Sequence, residues 1–507
     1  MQRRRAQSRS RSPPPVCGTT IEPESGVRLD VWGVQGSLIY NAEALSLSTT
    51  ILDIKARIRE HNTSLNGRLR LCLGSEALDD SRSLQDFTNT SCTYLSLSLV
   101  HLPITFSVVT WGFGPNGGDS SAVANQLADG VVRIFGASDT FGGAFAALKE
   151  QGAVVTWGLS GWGGDSASVA GEISQGVASV FSSGGAFAAL KHTGAVVTWG
   201  NETWGADSSL VARNLREGVR TICATGTAFA ALKESGAVVV WGSPLGGGCV
   251  GRAAERLADG VASIHSTAFA FAAVKQQGSD RVITWGDDSC GGFMSAAARQ
   301  RTSRGVASIS TNSFAFAALC QDGSVATWGD FEYGGDSDAV SRKLAKNVAS
   351  ICSGHRAFAA LKEDGAVVTW GSGPNGGDAS AVASQLSSGV VSITSSGYSF
   401  SAAKACGAVI VWGASSNIEN YRKEQEGLDD FEESEDDERE RERPSGGVRS
   451  TCCNGLAVAA LMNDGSVITR GRANRGGDSS QVADQLASGV EAIYCNGWAF
   501  AALKEVQ

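Results

Sequence analysis

Proline, methionine and histidine are scarce, at 9, 3 and 5 of 507 residues. Charged residues make up only 18%, too few for a solvated, disordered chain or a coiled coil. Little proline beside 64 glycines excludes a collagen-like chain and points to turn-rich β structure built on small residues. No apolar run approaches the roughly 20 residues that a membrane helix needs. The N-terminus, MQRRRAQSRSRSPPP, lacks the apolar stretch of a secretory signal. Twelve cysteines occur without CxxC or Cys/His spacing, so neither a zinc site nor a disulfide framework is expected, which fits a reducing interior. Cys223, Cys352, Cys452 and Cys495 follow a recurring VxxI pattern and read as small buried thiols.

Chemistry is missing as well. His61, His101, His192, His265 and His355 stand in non-equivalent places, outside any Ser/His/Asp or Cys/His motif. GFGPNGGD (112–119) and GSGPNGGD (371–378) are Gly-rich but lack the Lys-Ser/Thr of a phosphate loop. No catalytic residue, cofactor or metal is expected, and the chain reads as a non-enzyme.

The net charge of −9 is concentrated in one place. Residues 419–443 hold thirteen Asp/Glu against five Lys/Arg, a local balance of −8. The remainder is nearly neutral, which argues against nucleic acid or a membrane surface as a partner. The run 417–447 cannot form a core and is expected to be a disordered insertion, able to tether a basic partner. Residues 1–26 are expected to be a disordered Arg/Ser/Pro arm, which weakly favours a nuclear over a cytoplasmic location for an intracellular protein.

What is present begins at 27–100. VRLDVWGVQGSLIYNA gives two alternating strands; TTILDIKARIREHN gives a helix that Thr49 or Thr50 can cap, with Ile51, Ile54 and Ile58 on one face. RLRLCLG and TYLSLSLV add two strands. In this order the motifs TILDIKARI, RLRLCLGSEALDDSRSL and YLSLSLV resemble the ubiquitin-like (β-grasp) domain. The resemblance implies a docking module. Leu99 to Pro103 run on without the Gly-Gly of conjugated members, and the receptor-binding aliphatic positions fall on Cys72 and Ser98.

From 104 to 507 one phrase recurs, cleanest as AFAALKEDGAVVTWG (357–371). It reads as strand, tight turn, strand. Its Trp-Gly marks are Trp111, Trp157, Trp199, Trp241, Trp285, Trp328, Trp370 and Trp412, with Arg470 in the ninth place, spaced 46, 42, 42, 44, 43, 42, 42 and 58 apart. A second phrase, GGDSSAVANQLADGVVRI (117–134) and its copies, predicts a short helical turn and a third strand. Asp119, Asp165, Asp378 and Asp478 are expected as its N-caps rather than as metal ligands.

Three strands cannot bury both faces alone, so neighbours must stack as a closed propeller or an open spiral. FSVVTWG (106–112) lacks a first strand, and AFAALK (499–504) lacks a second. Joined, they complete one blade, so an all-β propeller of about nine short blades is expected, closed by its first and last strands.

GVxxI…AFAALKxDGxVxTWG…GG resembles the regulator-of-chromosome-condensation repeat, in the short form of a bacterial β-lactamase-inhibitory protein. That resemblance implies a propeller and a choice of roles. The first is a non-enzymatic protein–protein scaffold or adaptor linked to the ubiquitin pathway; the alternative is a guanine-nucleotide exchange factor for a small GTPase. A monomer is expected, with protein partners reaching the propeller loops and the ubiquitin-like domain. Trp162, Trp204, Tyr333 and Arg475, in the variable loops before GG, are the candidate partner-binding residues.

Overall fold

The chain divides into two units, Met1–Ile104 and Thr105–Gln507. The computed structural model describes residues 27–33, 38–61, 68–74, 76–78, 82–87, 94–102, 106–139, 141–275, 277–278, 281–395, 397–413, 447–454 and 456–506. The basic arm at 1–26, and the acidic insertion up to 446, lie outside the described residues.

The first unit comprises β1 (Val27–Gly33), β2 (Leu38–Leu45), α1 (Ile51–His61), β3 (Arg68–Leu73), β4 (Glu76–Ala77) and β5 (Tyr94–Leu102). The sheet order is β2-β1-β5-β3-β4, with β1 and β5 parallel. Strand alternation turns Leu29, Val31, Leu71, Leu97 and Leu99 inward, where Ile51, Ile54 and Ile58 of α1 are fully buried against them. Each isoleucine contributes roughly 1.5–3 kcal/mol by leaving water. Of the two threonines, Thr50 makes the cap. Its Oγ1 accepts from the Asp53 N–H at 3.1 Å, and its own N–H donates to Asp53 Oδ2 at 3.0 Å.

The second unit is a series of three-stranded antiparallel sheets, the architecture of a blade-based β-propeller. Each blade is named here by the residue in its Trp position. The Trp199 blade is representative: Val177–Ser182, Ala186–Lys191 and Val196–Gly200, with the AFAALK strand in the middle. The first strand carries a register shift between Val177 and Ser179. The same shift recurs at equivalent places in the other blades.

The first and last strands of this unit pair. Ala499–Glu505 pairs with Phe106–Gly112, from Ala499↔Gly112 to Glu505↔Phe106, which makes the Trp111 blade from both termini of the unit. A single bridge, Phe106↔Val131, links it to the Trp157 blade.

Packing between blades repeats one lock. In the Trp199 blade, Phe187 faces Trp199 across the hairpin with ring centres 5.3 Å apart, and both are buried. Trp199 Nε1 donates to the carbonyl of Gly163, 3.1 Å away in the preceding loop. Gly163 has φ +94°, and a Cβ there would lie 2.6 Å from the Phe187 ring. Glycine is thus required twice, by conformation and by space. Ala144 and Ala146 of the preceding blade, both 0% exposed, let the next sheet approach Phe187 and Ala189. The same indole-to-glycine bond is made by Trp111, Trp157, Trp241, Trp285, Trp370 and Trp412. Trp328 stacks on Phe316 in the same way, but its Nε1 is buried without an acceptor.

Two details differ from the sequence reading. Asp119, Asp165, Asp378 and Asp478 stand one residue before the formal cap, and their carboxylates accept the N–H two residues on at 2.8–2.9 Å. They close Asx turns that feed the helical turn instead of capping it. Its C-terminal end is held instead by the repeat lysine: Lys149, Lys191, Lys233 and Lys404 donate to Gln126, Glu172, Asn214 and Gln385 carbonyls. Cys495 is also not equivalent to Cys452. Cys452 pairs with Ala459, whereas Cys495 lies one step further on and pairs with Phe500.

Candidate functional site

Antiparallel pairing brings three parts of every blade to one end: the end of the first strand, the start of AFAALK and the Trp-Gly exit. In the Trp199 blade these are Ser182↔Phe187 and Ala186↔Gly200. The loops that vary most in sequence therefore share one rim, while the hairpin turns lie at the opposite end. Within the rim, the residue preceding the AFAALK strand changes from blade to blade: Gly185, Thr227, Phe269, Phe314, Arg356, Tyr398, Leu456 and Trp498.

Trp162 and Trp204, from consecutive loops, meet edge to face with ring centres 6.2 Å apart at 85°. Gly185 fits between them, since a Cβ there would lie 2.7 Å from Trp204 and 3.0 Å from Trp162. Trp162 Nε1 donates to Asp139 Oδ1 at 2.9 Å. The same oxygen accepts the N–H groups of Phe141 and Gly142 at 2.8 and 2.9 Å, so Asp139 fixes both the loop and the indole. The Asp139 carbonyl accepts from Trp498 Nε1 at 3.0 Å. Arg475 then lies over Trp498, its guanidinium carbon 3.4 Å from the ring centre, and donates to the Gly497 carbonyl at 3.0 Å. Phe113 also packs on Trp498, at 5.7 Å and 38% exposed.

Trp204, Trp162, Trp498 and Arg475 thus form one connected patch across adjoining blades, with Phe141 standing beside it at 76% exposure. Each of these four residues is half-buried. The polar tips of Trp162, Trp498 and Arg475 bond to the protein, which leaves rigid apolar faces toward solvent, a combination that suits recognition because little ordering remains to be done on binding. Burial, with Arg472 nearby, lowers the Arg475 pKa.

Tyr333 does not join this patch. It packs on Phe314 at 4.9 Å, under the Arg356 guanidinium at 5.0 Å, and Asn312 Nδ2 holds its carbonyl at 2.7 Å. His355 continues this second cluster by stacking on Tyr398 at 5.0 Å. Burial first, then the charge of Arg356, pushes the His355 pKa down, so its imidazole is neutral at pH 7. Phe269, Leu245, Phe293 and Phe331 are further exposed apolar side chains of the unit.

Trp498, Asp139 and Phe113 were not singled out from the sequence. The signal was the residue just before AFAALK, whose variation among otherwise uniform repeats marks a position freed from blade packing.

On the first unit, Cys72 and Ser98 stand directly opposite each other on β3 and β5. Around them Ser96 and Ser98 are exposed, Tyr94 donates to Asp30 at 2.9 Å, and Trp32, in register with Ser98 on β1, is 36% exposed.

A groove of about 1140 Å³ runs along the Trp370 blade, lined by Tyr333, Val340, Lys343, Lys362, Val367 and Asp378 among others. Two of its carboxylates, Asp336 and Asp378, are occupied in Asx turns. Among the described residues, no group of three His, Cys, Asp or Glu side chains could hold a metal ion, and no helix is long and apolar enough to cross a membrane.

No known protein family and no curated protein matches the chain. Solved structures do. Yeast RCC1 (Prp20), in its complex with Kap60, aligns at 13% identity over 80% of this chain and 90% of its own, with a TM-score of 0.35. The CRINKLY WD40 ectodomain of the Arabidopsis thaliana receptor kinase ACR4 aligns at 15% identity over 56% of this chain and 95% of its own, with a TM-score of 0.30. A ubiquitin-fold protein from Arabidopsis thaliana is similar to 16% of this chain, over 92% of its own length, at 14% identity and a TM-score of 0.15.

Proposed function

We propose that this protein is a non-enzymatic interaction scaffold: a nine-bladed, repeat-built propeller of the regulator-of-chromosome-condensation type, carrying a ubiquitin-like docking domain at its head. The observation that carries this reading is the connected patch Trp204–Trp162–Asp139–Trp498–Arg475, assembled from loops of adjoining blades. Tryptophan and arginine dominate the binding energy of protein interfaces, above all where they are held rigid. Trp162 also packs on the core between the Trp157 and Trp199 blades, but blade packing does not require an aromatic at this place, since Trp162 and Trp204 have Asn116 and Asn375 as counterparts in other blades.

The ubiquitin-like reading rests on the sheet order with β1 and β5 parallel and the helix on one face, and it directs the search for partners to the ubiquitin pathway. With Cys72 and Ser98 at the centre of its outer face, this domain is a weak ligand for receptors that grip aliphatic side chains.

The test is affinity capture with the full chain against the double variant Trp162→Ala/Trp498→Ala, at matched thermal stability. A protein captured by the wild type and lost by the variant supports the scaffold. Accelerated release of labelled guanine nucleotide from a Ran-type GTPase would instead support the exchange-factor reading.

A further inference from the structure

The Arg470 blade (Val448–Cys453, Ala457–Met462, Val467–Gly471) is anchored on one side only. Toward the Trp111 blade it has a packed core of Ala457, Ala459, Leu461, Phe500 and Trp111. Toward the Trp412 blade, among the described residues, no such core exists. Val409, Val411 and Val448 are 66%, 60% and 57% exposed there. The sequence is adapted to that seam. Ser399 and Ser401 replace the alanines that face the next blade elsewhere, while Thr451, Val458 and Arg470 replace the receiving Ile, Phe and Trp.

On the anchored side two thiols meet. Cys452 Sγ, from the first strand of the Arg470 blade, lies 2.6 Å from Cys495 Sγ, from the first strand of the Trp111 blade. A disulfide needs about 2.05 Å, and non-bonded sulfurs would stand well beyond 2.6 Å. At the equivalent junction of the Trp241 and Trp285 blades, Cys223 donates to the Ser266 hydroxyl at 3.3 Å. Only at the blade beside the seam, among the described residues, are both partners sulfur.

We propose that Cys452 and Cys495 are a reversible disulfide site, which staples the one-sided Arg470 blade to its neighbour when a peroxide is present. The Cys495 thiolate attacks a peroxide oxygen; the O–O bond breaks, sulfenic acid forms, and the leaving hydroxide takes up the proton that the Cys495 thiol released, as water. Cys452 then attacks the sulfenyl sulfur, the S–S bond forms, and the hydroxide that leaves takes up the Cys452 proton as water. Two thiols lose two electrons, and hydrogen peroxide is reduced to two waters. The Cys452 S–H, donating to Cys495, lowers the Cys495 pKa and marks it as the attacking sulfur.

The test uses the full chain treated with equimolar hydrogen peroxide, alkylated, and digested without reduction. The Cys453→Ser variant is run in parallel, because Cys453 falls in the same tryptic peptide as Cys452. The expected result is a Cys452–Cys495 linked peptide in wild type and Cys453→Ser, reversed by dithiothreitol and absent from Cys495→Ser. Limited proteolysis of the oxidised protein between 449 and 470 should slow at least tenfold. Alkylated, unlinked Cys452 and Cys495 while exposed Cys249 and Cys406 oxidise would overturn the proposal. So would a link that disappears in Cys453→Ser.

Discussion

Val458 stands opposite Arg470 at the register position where Phe400 stands opposite Trp412, the preceding stacked pair of the array. One blade has therefore lost both aromatic halves of the lock that joins each other blade to its predecessor. Substituting Arg470→Trp is expected to leave the unfolding midpoint nearly unchanged, since one ring without the facing Phe cannot rebuild the lock. Trp412→Arg is expected to lower stability by several kcal/mol, because it buries a cation in a packed junction. Thermal denaturation of the two variants side by side makes the comparison.

The lock should be sensitive to single groups at any intact junction. Phe187→Ala removes a fully buried ring between two sheets and is expected to cost about 3–5 kcal/mol. Gly163→Ala leaves the ring in place but forces a Cβ to 2.6 Å from it at φ +94°, so it is expected to destabilise by about 1–3 kcal/mol. Chemical denaturation read by tryptophan fluorescence measures both.

The repeat aspartates make stability depend on acid. Backbone N–H groups hold the carboxyls of Asp119, Asp207 and Asp378 below their ordinary value of 3.8. A depressed folded pKa gives stability that is fully present above the unfolded value and is lost as pH falls through the folded one. Stability should therefore be flat with respect to these groups at neutral pH and decline below about pH 4. A variant with Asn at all three should show a shallower decline between pH 4 and 2, since Asn keeps an acceptor oxygen but does not titrate. An unchanged slope would show that these turns carry no linkage.

Much of the fold was legible in the residues because the repeat states its own hydrogen-bond grammar. The Trp-Gly exit, the alanines of AFAALK and the GG phrase each had one structural use, and together they specify a blade. The ends were legible for the same reason: FSVVTWG and AFAALK are complementary halves, and they pair. The aspartates were read one position off, because the Asx turn and the N-cap share the same residue preference and differ only in which N–H is accepted.

The rim was harder to read. Trp162 and Trp204 stood out as aromatic departures, but their contact depends on a glycine, Gly185, at the loop between them. Arg475 meets Trp498 from the next loop, as Tyr333 meets Arg356 in another blade, a contact that no motif in either loop announces. The contact between Cys452 and Cys495, 43 positions apart like Cys223 and Ser266, was hidden because touching residues of neighbouring blades are offset by one register position from equivalent ones.

Asp139 should act through the side chains it holds. Asp139→Ala removes the acceptor of the Trp162 indole and of two loop N–H groups. It is expected to raise the mobility of Trp162 and weaken partner binding several-fold, with a stability loss of about 1–3 kcal/mol. Fluorescence anisotropy decay in a variant retaining Trp162 and Trp204 separates loosened rings from global unfolding.

The central claim is that the rim patch binds a protein. Its most direct measurement is the affinity of a captured partner for the full chain and for Trp162→Ala/Trp498→Ala, at equal folded fraction. The account predicts a loss of at least tenfold, from two anchors each worth about 1–2 kcal/mol or more. A substitution at the opposite, hairpin-turn end, such as Glu234→Ala, should have no effect. Equal affinity for wild type and the rim variant, with binding lost on the hairpin-turn side, would contradict it.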